Sequence, residues 1–486
     1  MKRHVLLFAY ISIPIIICFL YIIVRLLGIN ENVSIIQLCM GILLGIELIY
    51  TVAVLIKKHY VEDSKIIHLI IIAGFIMRIG YMLYTGCNVR GHDVLDFNTV
   101  SGGHAAYILT ILQTGKLPAA NYMQFYQQPF FYLSGSLLSR FINCILSCND
   151  PYYLVDAAKL ISCIASCLTV LVSESLIKVC NITREGHFFV IIYISFLPAF
   201  YLSGGRITPD SLIAFIMTLI LYYTIKWQQE PSFKSLVILA FLFGIGMMTK
   251  LSCAVIAIFT AFFMIRELIS SLRKKQAYRC LLQYAIFCII SFPLGLWYSL
   301  RNYLNFHQSF SYVPKIGNDS SLYIGSFSLV ERFFSINFSN MFTSPYASVL
   351  DDYNLPIYHL KSSLFGEFYY SVAGWIPTIL LFSTFIIMVS FVVSILWQWI
   401  YNSTDSTGNI LTAIIILFYG SLMLFCLKYP FGCSMDFRYA LFIVIPASIL
   451  FGKYFPRLKN HILKSVIIIS TFLFSLTSCL MYTLIR

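Results

Sequence analysis

Two acids and two histidines open the most polar stretch of the sequence: His92, Asp93, Asp96 and His104, within NVRGHDVLDFNTVSGGHAAY. A carboxylate at a partly apolar boundary can have a raised pKa and serve as a general base, taking a proton from a hydroxyl. Asp93 and Asp96 are the candidates for that role, and a solvated loop acid is the plain alternative. His104 and Tyr107 stand three residues apart, on one face of the helix that 102–115 is expected to form. Single cations follow. Arg206 and Asp210 share GGRITPD, Lys250 sits in GMMTKLS and Arg301 in LWYSLRNY. Lys250 lies between two strongly apolar runs, FLFGIGMM and LSCAVIAIF. A cation so placed either snorkels to the headgroups or binds an anion, and a lipid-linked phosphate is the natural one. Thr208-Pro209-Asp210 is also an ordinary helix start, with Pro in the first turn and the acid at the positive end of the dipole. With Arg90, Lys428 and Arg438, these cations suit a phosphate-bearing substrate.

The elements that must position these residues are membrane helices. Of 486 residues, 59% are hydrophobic and 11% charged, against about 25% charged in a soluble domain. The net charge of +13 is carried by short loops between apolar spans, as membrane orientation requires. With no soluble domain to carry a basic stripe, nucleic-acid binding is excluded. Most of the 14 cysteines lie in apolar runs, and none has the spacing of a zinc site. The apolar run after MKRH is too long for a signal peptide and reads as a retained first helix.

At about 20 apolar residues per crossing, thirteen spans are predicted: 5–27, 34–56, 66–85, 155–178, 187–204, 209–226, 235–249, 252–267, 278–300, 373–397, 409–428, 438–454 and 464–484. If 129–147 also crossed, the basic loops at Arg266–Arg279 and Lys453–Lys464 would fall outside. It is therefore read as a juxtamembrane element, which puts every basic loop in the cytoplasm. The loops 86–128, 204–210, 249–251, 301–372 and 429–437 then share the outer side. The 301–372 loop is long enough to be expected to hold local helices. Outer tyrosines and phenylalanines such as Tyr122, Tyr132 and Tyr370 are what an aromatic belt supplies, and some could stack on sugars. The chain divides by this reading into two extra N-terminal helices (1–60), a catalytic membrane module (61–303, with outer loop 86–128), an outer loop (304–372) and C-terminal helices (373–486).

In order, the segments resemble the polytopic GT-C glycosyltransferases, in particular the family of protein O-mannosyltransferases and lipid A aminoarabinose transferases. The acid-bearing first loop with Tyr107, GKLP and QPFFY is similar to that family's first loop. LSGGRITPDSLIAFIMTLILYY, GIGMMTKLS and FPLGLWYSLRNY resemble its later signatures, with a weaker echo in DFRYALFIVIP. The sequence departs from the pattern in three ways. It has no Asp-Glu pair before the loop tyrosine, a single Pro129 after Gln128, and two helices ahead of the usual first one.

The resemblance implies an all-α polytopic membrane protein of about thirteen transmembrane helices, with juxtamembrane helices in the first large outer loop. It also implies an extracytoplasmic transfer of a sugar, with inversion, from a polyprenyl-phosphate donor to the hydroxyl of a protein, glycolipid or cell-wall acceptor. Asp93 or Asp96 would be the base. Lys250, with Arg301 and Arg206, would hold the leaving phosphate, and His104, Tyr107 and Asp210 would bind or orient substrate. No cofactor or metal is expected. The membrane would be the plasma membrane in a bacterium and the endoplasmic reticulum in a eukaryote. The rival reading is a flippase or transporter of lipid-linked saccharides, which should place charge within broken spans. The spans read as largely free of charge.

Overall fold

The computed structural model describes residues 3–57, 63–91, 93–94, 102–119, 123–273, 277–310, 312–314, 316–336 and 338–485. It is helical, and the one β-contact among these residues is an isolated bridge between Tyr323 and Phe431. Three helices open the chain: α1 (Arg3–Leu26), α2 (Val33–Lys57) and α3 (Asp63–Tyr84). Next come α4 (His104–Thr114), α5 (Phe130–Leu146), α6 (Pro151–Asp156), α7 (Lys159–Val179), α8 (Arg184–Phe196) and α9 (Pro198–Gly204). Then follow α10 (Asp210–Gln229), α11 (Phe233–Thr249), α12 (Ala254–Arg273) and α13 (Ala277–Phe306). Three short helices, α14 (Leu329–Phe333), α15 (Phe338–Thr343) and α16 (Leu355–Phe365), precede α17 (Trp375–Tyr401), α18 (Ser406–Lys428), α19 (Val444–Tyr454) and α20 (His461–Leu484).

Eleven spans among the described residues are long and apolar enough to cross a bilayer, and α8 with α9 makes a twelfth that bends by 41°. All thirteen predicted crossings are helical. The segment 187–204 is the bent pair, and 235–249 is the 17-residue α11. The long 301–372 loop holds α14, α15 and α16, as its length predicts. In α5, Leu133, Leu137, Phe141 and Ile145 recur every fourth residue on the exposed face, while Phe131, Tyr132, Gly135, Ser136, Ser139 and Ile142 are buried. A regular apolar exposed face on a helix of only 17 residues suits one lying along a membrane.

The chain forms two compact units. One comprises Met1–Arg90, Ser166–Arg206 and Ile316–Arg486, the other Gly91–Ala165 and Ile207–Lys315. In the first, α8 meets α19 through small residues: a Cβ on Gly186 would stand 2.0 Å from the carbonyl oxygen of Gly452. Lipid tails are as apolar as the side chains, so van der Waals contact of this closeness holds membrane helices together. The second unit is built on α4, α5 and α10–α13. There α11 and α13 are tied by Trp297, whose indole N–H reaches Met248 Sδ at 2.9 Å.

The spans are less free of charge than their sequence suggests. Arg78, within α3, is fully buried. Its Nε donates to Ser166 Oγ (3.1 Å), Nη1 to the carbonyls of Gly74 (3.0 Å) and Ser195 (2.6 Å), and Nη2 to that of Ile194 (2.7 Å). Glu174 of α7 is buried against His187, with Lys178 at 2.7 Å. Each buried charge is matched by opposite charge or carbonyl oxygens, which is the condition for keeping it out of water.

Candidate functional site

In the second unit the first loop is pinned to α4. Gly103, the residue before the helix, offers no side chain to cap it. The carbonyls of Asp93 and Val94 do so instead, accepting from the backbone N–H of His104 (2.8 Å) and Ala105 (2.9 Å). Two donors that every helix start leaves unpaired are thereby satisfied, and the backbone of Asp93 is fixed. Asp93 holds a left-handed φ of 57°, a conformation that Asp tolerates better than most residues. Its side chain is exposed. Asp96 and His92 lie outside the described residues, as does Tyr122.

Behind this loop is a buried aromatic stack. His104 and Tyr107 share a face of α4, as their spacing predicts, and Tyr132 of α5 joins them. His104 Nδ1 lies 2.6 Å from Tyr132 Oη, and the Tyr107 and Tyr132 rings stack at 3.9 Å, 5° from parallel. Tyr298 donates to the Phe125 carbonyl (2.7 Å), so its oxygen is left to accept from Tyr107 (2.9 Å). Tyr132 donates to Gln127 Oε1 (3.1 Å), which leaves His104 as the donor at Nδ1. Burial, with Tyr298 next for Tyr107 and Tyr126 next for Tyr132, pushes both phenols well above their ordinary range. They are therefore protonated hydrogen-bonding groups rather than bases.

The lysine that reads as isolated in the sequence has a partner. Lys250 Nζ is 2.6 Å from Asp210 Oδ1, with the lysine side chain 26% exposed and the aspartate 5%. Asp210 occupies the first turn of α10, and Lys250 ends α11 in extended backbone. Arg301, in the last turns of α13, donates to the Pro118 carbonyl (3.1 Å) and to Asn302 Oδ1 (3.1 Å), and its guanidinium lies 5.2 Å over the Tyr298 ring. Thus GKLP and LWYSLRNY, almost 200 residues apart, meet through one arginine. Gln128 Nε2, donating to Ser299 Oγ at 3.0 Å, joins QPFFY to LWYSLRNY as well.

Arg206 belongs to the first unit, where it meets other residues. Its Nε donates to the Arg90 carbonyl (2.9 Å), Nη1 lies 3.8 Å from Asp436 Oδ2, and the guanidinium sits 5.3 Å over Phe368. Its buried Nη2 has no hydrogen-bond partner among the described residues. Arg438 Nε is 3.4 Å from the same Asp436 oxygen, and Arg90 lies 4.9 Å over Tyr370. The segment 366–370 wraps this group. Gly366 has a φ of +62°, and a Cβ there would stand 2.9 Å from Arg206 Nη2, so glycine answers both the turn and the close approach.

Sequence reasoning did not single out Tyr298 or Arg78. It took Tyr132 as belt, counted Arg438 among the cations that suit a phosphate, and gave Asp436 no role of its own. The one signal available for Tyr298 was its place in the LWYSLRNY signature, between Trp297 and Arg301.

Fold and site define an all-α polytopic membrane protein with buried tyrosine networks and acid-paired cations at helix ends. Residues 154–297 match the family model described as dolichyl-phosphate-mannose-protein mannosyltransferase. The resemblance to GT-C glycosyltransferases read from the sequence is borne out over that segment. Arg206, Asp210 and Lys250 lie within it, while Asp93, His104, Tyr107 and Arg301 lie outside it. Comparison with curated proteins gives no match. Among solved structures the chain is similar to ArnT from Cupriavidus metallidurans. With the form bound to undecaprenyl phosphate it shares 12% identity at a TM-score of 0.43, over 87% of this chain and 75% of that one. With the apo form the identity is 12% and the TM-score 0.36, over 80% and 77%.

Proposed function

We propose that the protein is a membrane glycosyltransferase that moves a sugar from a polyprenyl-phosphate donor to an acceptor hydroxyl on the extracytoplasmic side, inverting the anomeric centre. The observation that carries this reading is the mannosyltransferase family match, whose span contains the acid-paired lysine Lys250. Asp93 removes the hydroxyl proton and the oxygen attacks the anomeric carbon. The bond from that carbon to the phosphate oxygen breaks, and the phosphate leaves with the electron pair. Cations aimed at the developing charge stabilise such a departure. Lys250 is the first choice, with Arg301 of the same unit next, and Arg206 of the first unit is a further candidate phosphate ligand. Asp210 keeps Lys250 oriented before the anion arrives, and His104 and Tyr107 form the wall behind the base. Acceptors with the right group are a protein, a glycolipid or a cell-wall polymer.

One observation favours a transporter instead, since a bent span with an arginine beside it is what that reading requires. The four bonds already described occupy four of the five N–H donors of Arg78. Three of these go to backbone carbonyls and one to the Ser166 hydroxyl, which accounts for this arginine without a transported substrate.

Sugar transfer by reconstituted protein from a panel of polyprenyl-phosphate sugars is the test. Wild type should turn over one donor, Asp93→Asn should lose about 10²–10⁴-fold, and Lys250→Ala should fall with it. Leaflet-to-leaflet movement of labelled lipid without turnover would replace this reading with the flippase.

A further inference from the structure

The bend between α8 and α9 frees backbone acceptors inside a membrane span. Pro198 has no N–H to give the Ile194 carbonyl four residues back. The N–H of Phe200 turns to Leu197 at 3.1 Å instead of reaching Phe196. Three carbonyls, those of Ile194, Ser195 and Phe196, therefore need donors from elsewhere, and each left unpaired in a bilayer costs several kcal/mol. All three have one. Arg78 serves Ile194 and Ser195 at 2.7 and 2.6 Å, and Ser478 Oγ serves Phe196 at 2.6 Å. The Tyr201 hydroxyl adds a longer contact to Ser195, at 3.3 Å. Arg78 also packs over the rings of Phe200 and Tyr201 on α9, at 5.4 and 5.5 Å.

What the bend aims is the next turn of chain. α9 ends at Gly204, and Gly205 N–H closes on the Tyr201 carbonyl at 2.9 Å. Arg206 follows directly, with its guanidinium committed to the Arg90 carbonyl and Asp436. We infer that Arg78 is a positioning residue: by replacing the hydrogen bonds that Pro198 removes, it stabilises the 41° bend and so sets where Arg206 is presented. This rests on the transferase reading only where it concerns turnover. A straight continuation of α8 would carry residues 198–206 along a different axis and separate Arg206 from the Arg90 carbonyl.

Pro198→Ala supplies the test, because it restores the missing N–H. In Arg78→Met the Ile194 carbonyl loses its donor and that of Ser195 keeps only the long contact from Tyr201, so the melting temperature should drop and turnover should fall on the order of 10²-fold, as misplaced site residues do. In Arg78→Met/Pro198→Ala the chain can run straight and satisfy its own carbonyls. Stability should return while turnover stays lost. Pro198→Ala alone, with Arg78 still in place, should remain near wild type. Recovery of turnover together with stability would make Arg78 merely structural and overturn the inference. Failure of the second substitution to restore stability, or an Arg78→Met protein unchanged in both respects, would overturn it as well. If wild type turns over no donor, the transferase reading fails separately, and a structure of the double variant decides. A bend well below 41° with Arg206 parted from the Arg90 carbonyl sustains the inference, and an unchanged bend removes it.

Discussion

Lys250 and Asp210 show why a single residue in this chain cannot be read alone. The lysine looks like a bare cation in sequence, yet its ammonium is spoken for by an acid 40 positions away. Removing one partner of a largely buried pair strands the other, at a cost of up to about 3–5 kcal/mol. Lys250→Met should therefore lower the melting temperature as well as turnover. The Lys250→Met/Asp210→Asn protein should regain most of the stability and none of the turnover. A double-mutant cycle on both quantities separates the structural pairing from the chemical role. His359 makes a different prediction. Burial drives its imidazole pKa down to about 3, with a backbone hydrogen bond at Met435 acting the other way. Its Nε2 has no hydrogen-bond partner among the described residues, and its ring sits edge-on to Tyr419 and Phe437. An unfolded histidine titrates near 6.5. Between about pH 6.5 and 3 the unfolded chain thus binds a proton that the folded one refuses, and stability falls as pH falls. By pH 5 the loss should approach 2 kcal/mol, at about 1.4 kcal/mol per pH unit. Melting temperatures of His359→Phe from about pH 7.5 to 5 should decline less steeply than those of wild type.

At the scale of elements, pairs of helices are held by what is small or missing as much as by what is large. Gly186 and Gly452 bring α8 and α19 into backbone contact. Gly186→Leu would have to push two spans apart, and the cost of overpacking, about 1–3 kcal/mol or more, should appear as a lower melting temperature in detergent. Gly374→Ala is the matched control, because a Cβ there meets nothing within 4 Å. α4 and α5 illustrate the opposite device. Large rings from both helices are joined by hydrogen bonds into one block, and the backbone at Asp93 and Val94 is bonded to its edge. A change in Tyr132 should therefore reach the acid without touching it.

At the scale of the molecule, the crossings were legible because length and hydropathy alone decide what enters a bilayer. Each predicted span is helical, 187–204 as a bent pair, and the segment read as juxtamembrane, 129–147, holds α5. What stayed illegible was pairing. Nothing in FIMRIG says that Arg78 will serve carbonyls of Ile194 and Ser195, because hydropathy reports the cost of a buried charge and not who relieves it. Tyr132 and Tyr298 were hidden for the same reason, since an aromatic at an interface reads as belt whether or not its hydroxyl is engaged. The two N-terminal helices make a whole-molecule prediction. The most apolar windows of α1 and α2 are only 17% and 6% buried within the chain. Removing residues 1–57 deletes an even number of crossings and so preserves the orientation of the rest. Gln37, whose side chain donates to the carbonyl of the buried Ile485 at 2.6 Å, supplies one hydrogen bond from α2 to the end of α20, and its removal should cost about 1 kcal/mol. The shortened protein should insert, melt within a few degrees of the full chain, and keep its turnover within about threefold.

The Lys250–Asp210 pair also bears on which anions the protein ignores. A cation already neutralised by a carboxylate is a poor scavenger, so inorganic phosphate or a soluble sugar phosphate must evict Asp210 with nothing but its own dilute concentration. A phosphate carried on a membrane-held chain arrives by confinement, at an effective local concentration on the order of millimolar. On the proposed role of Lys250, the ion pair would filter by tethering, separating chemically identical headgroups according to whether they are anchored in the bilayer.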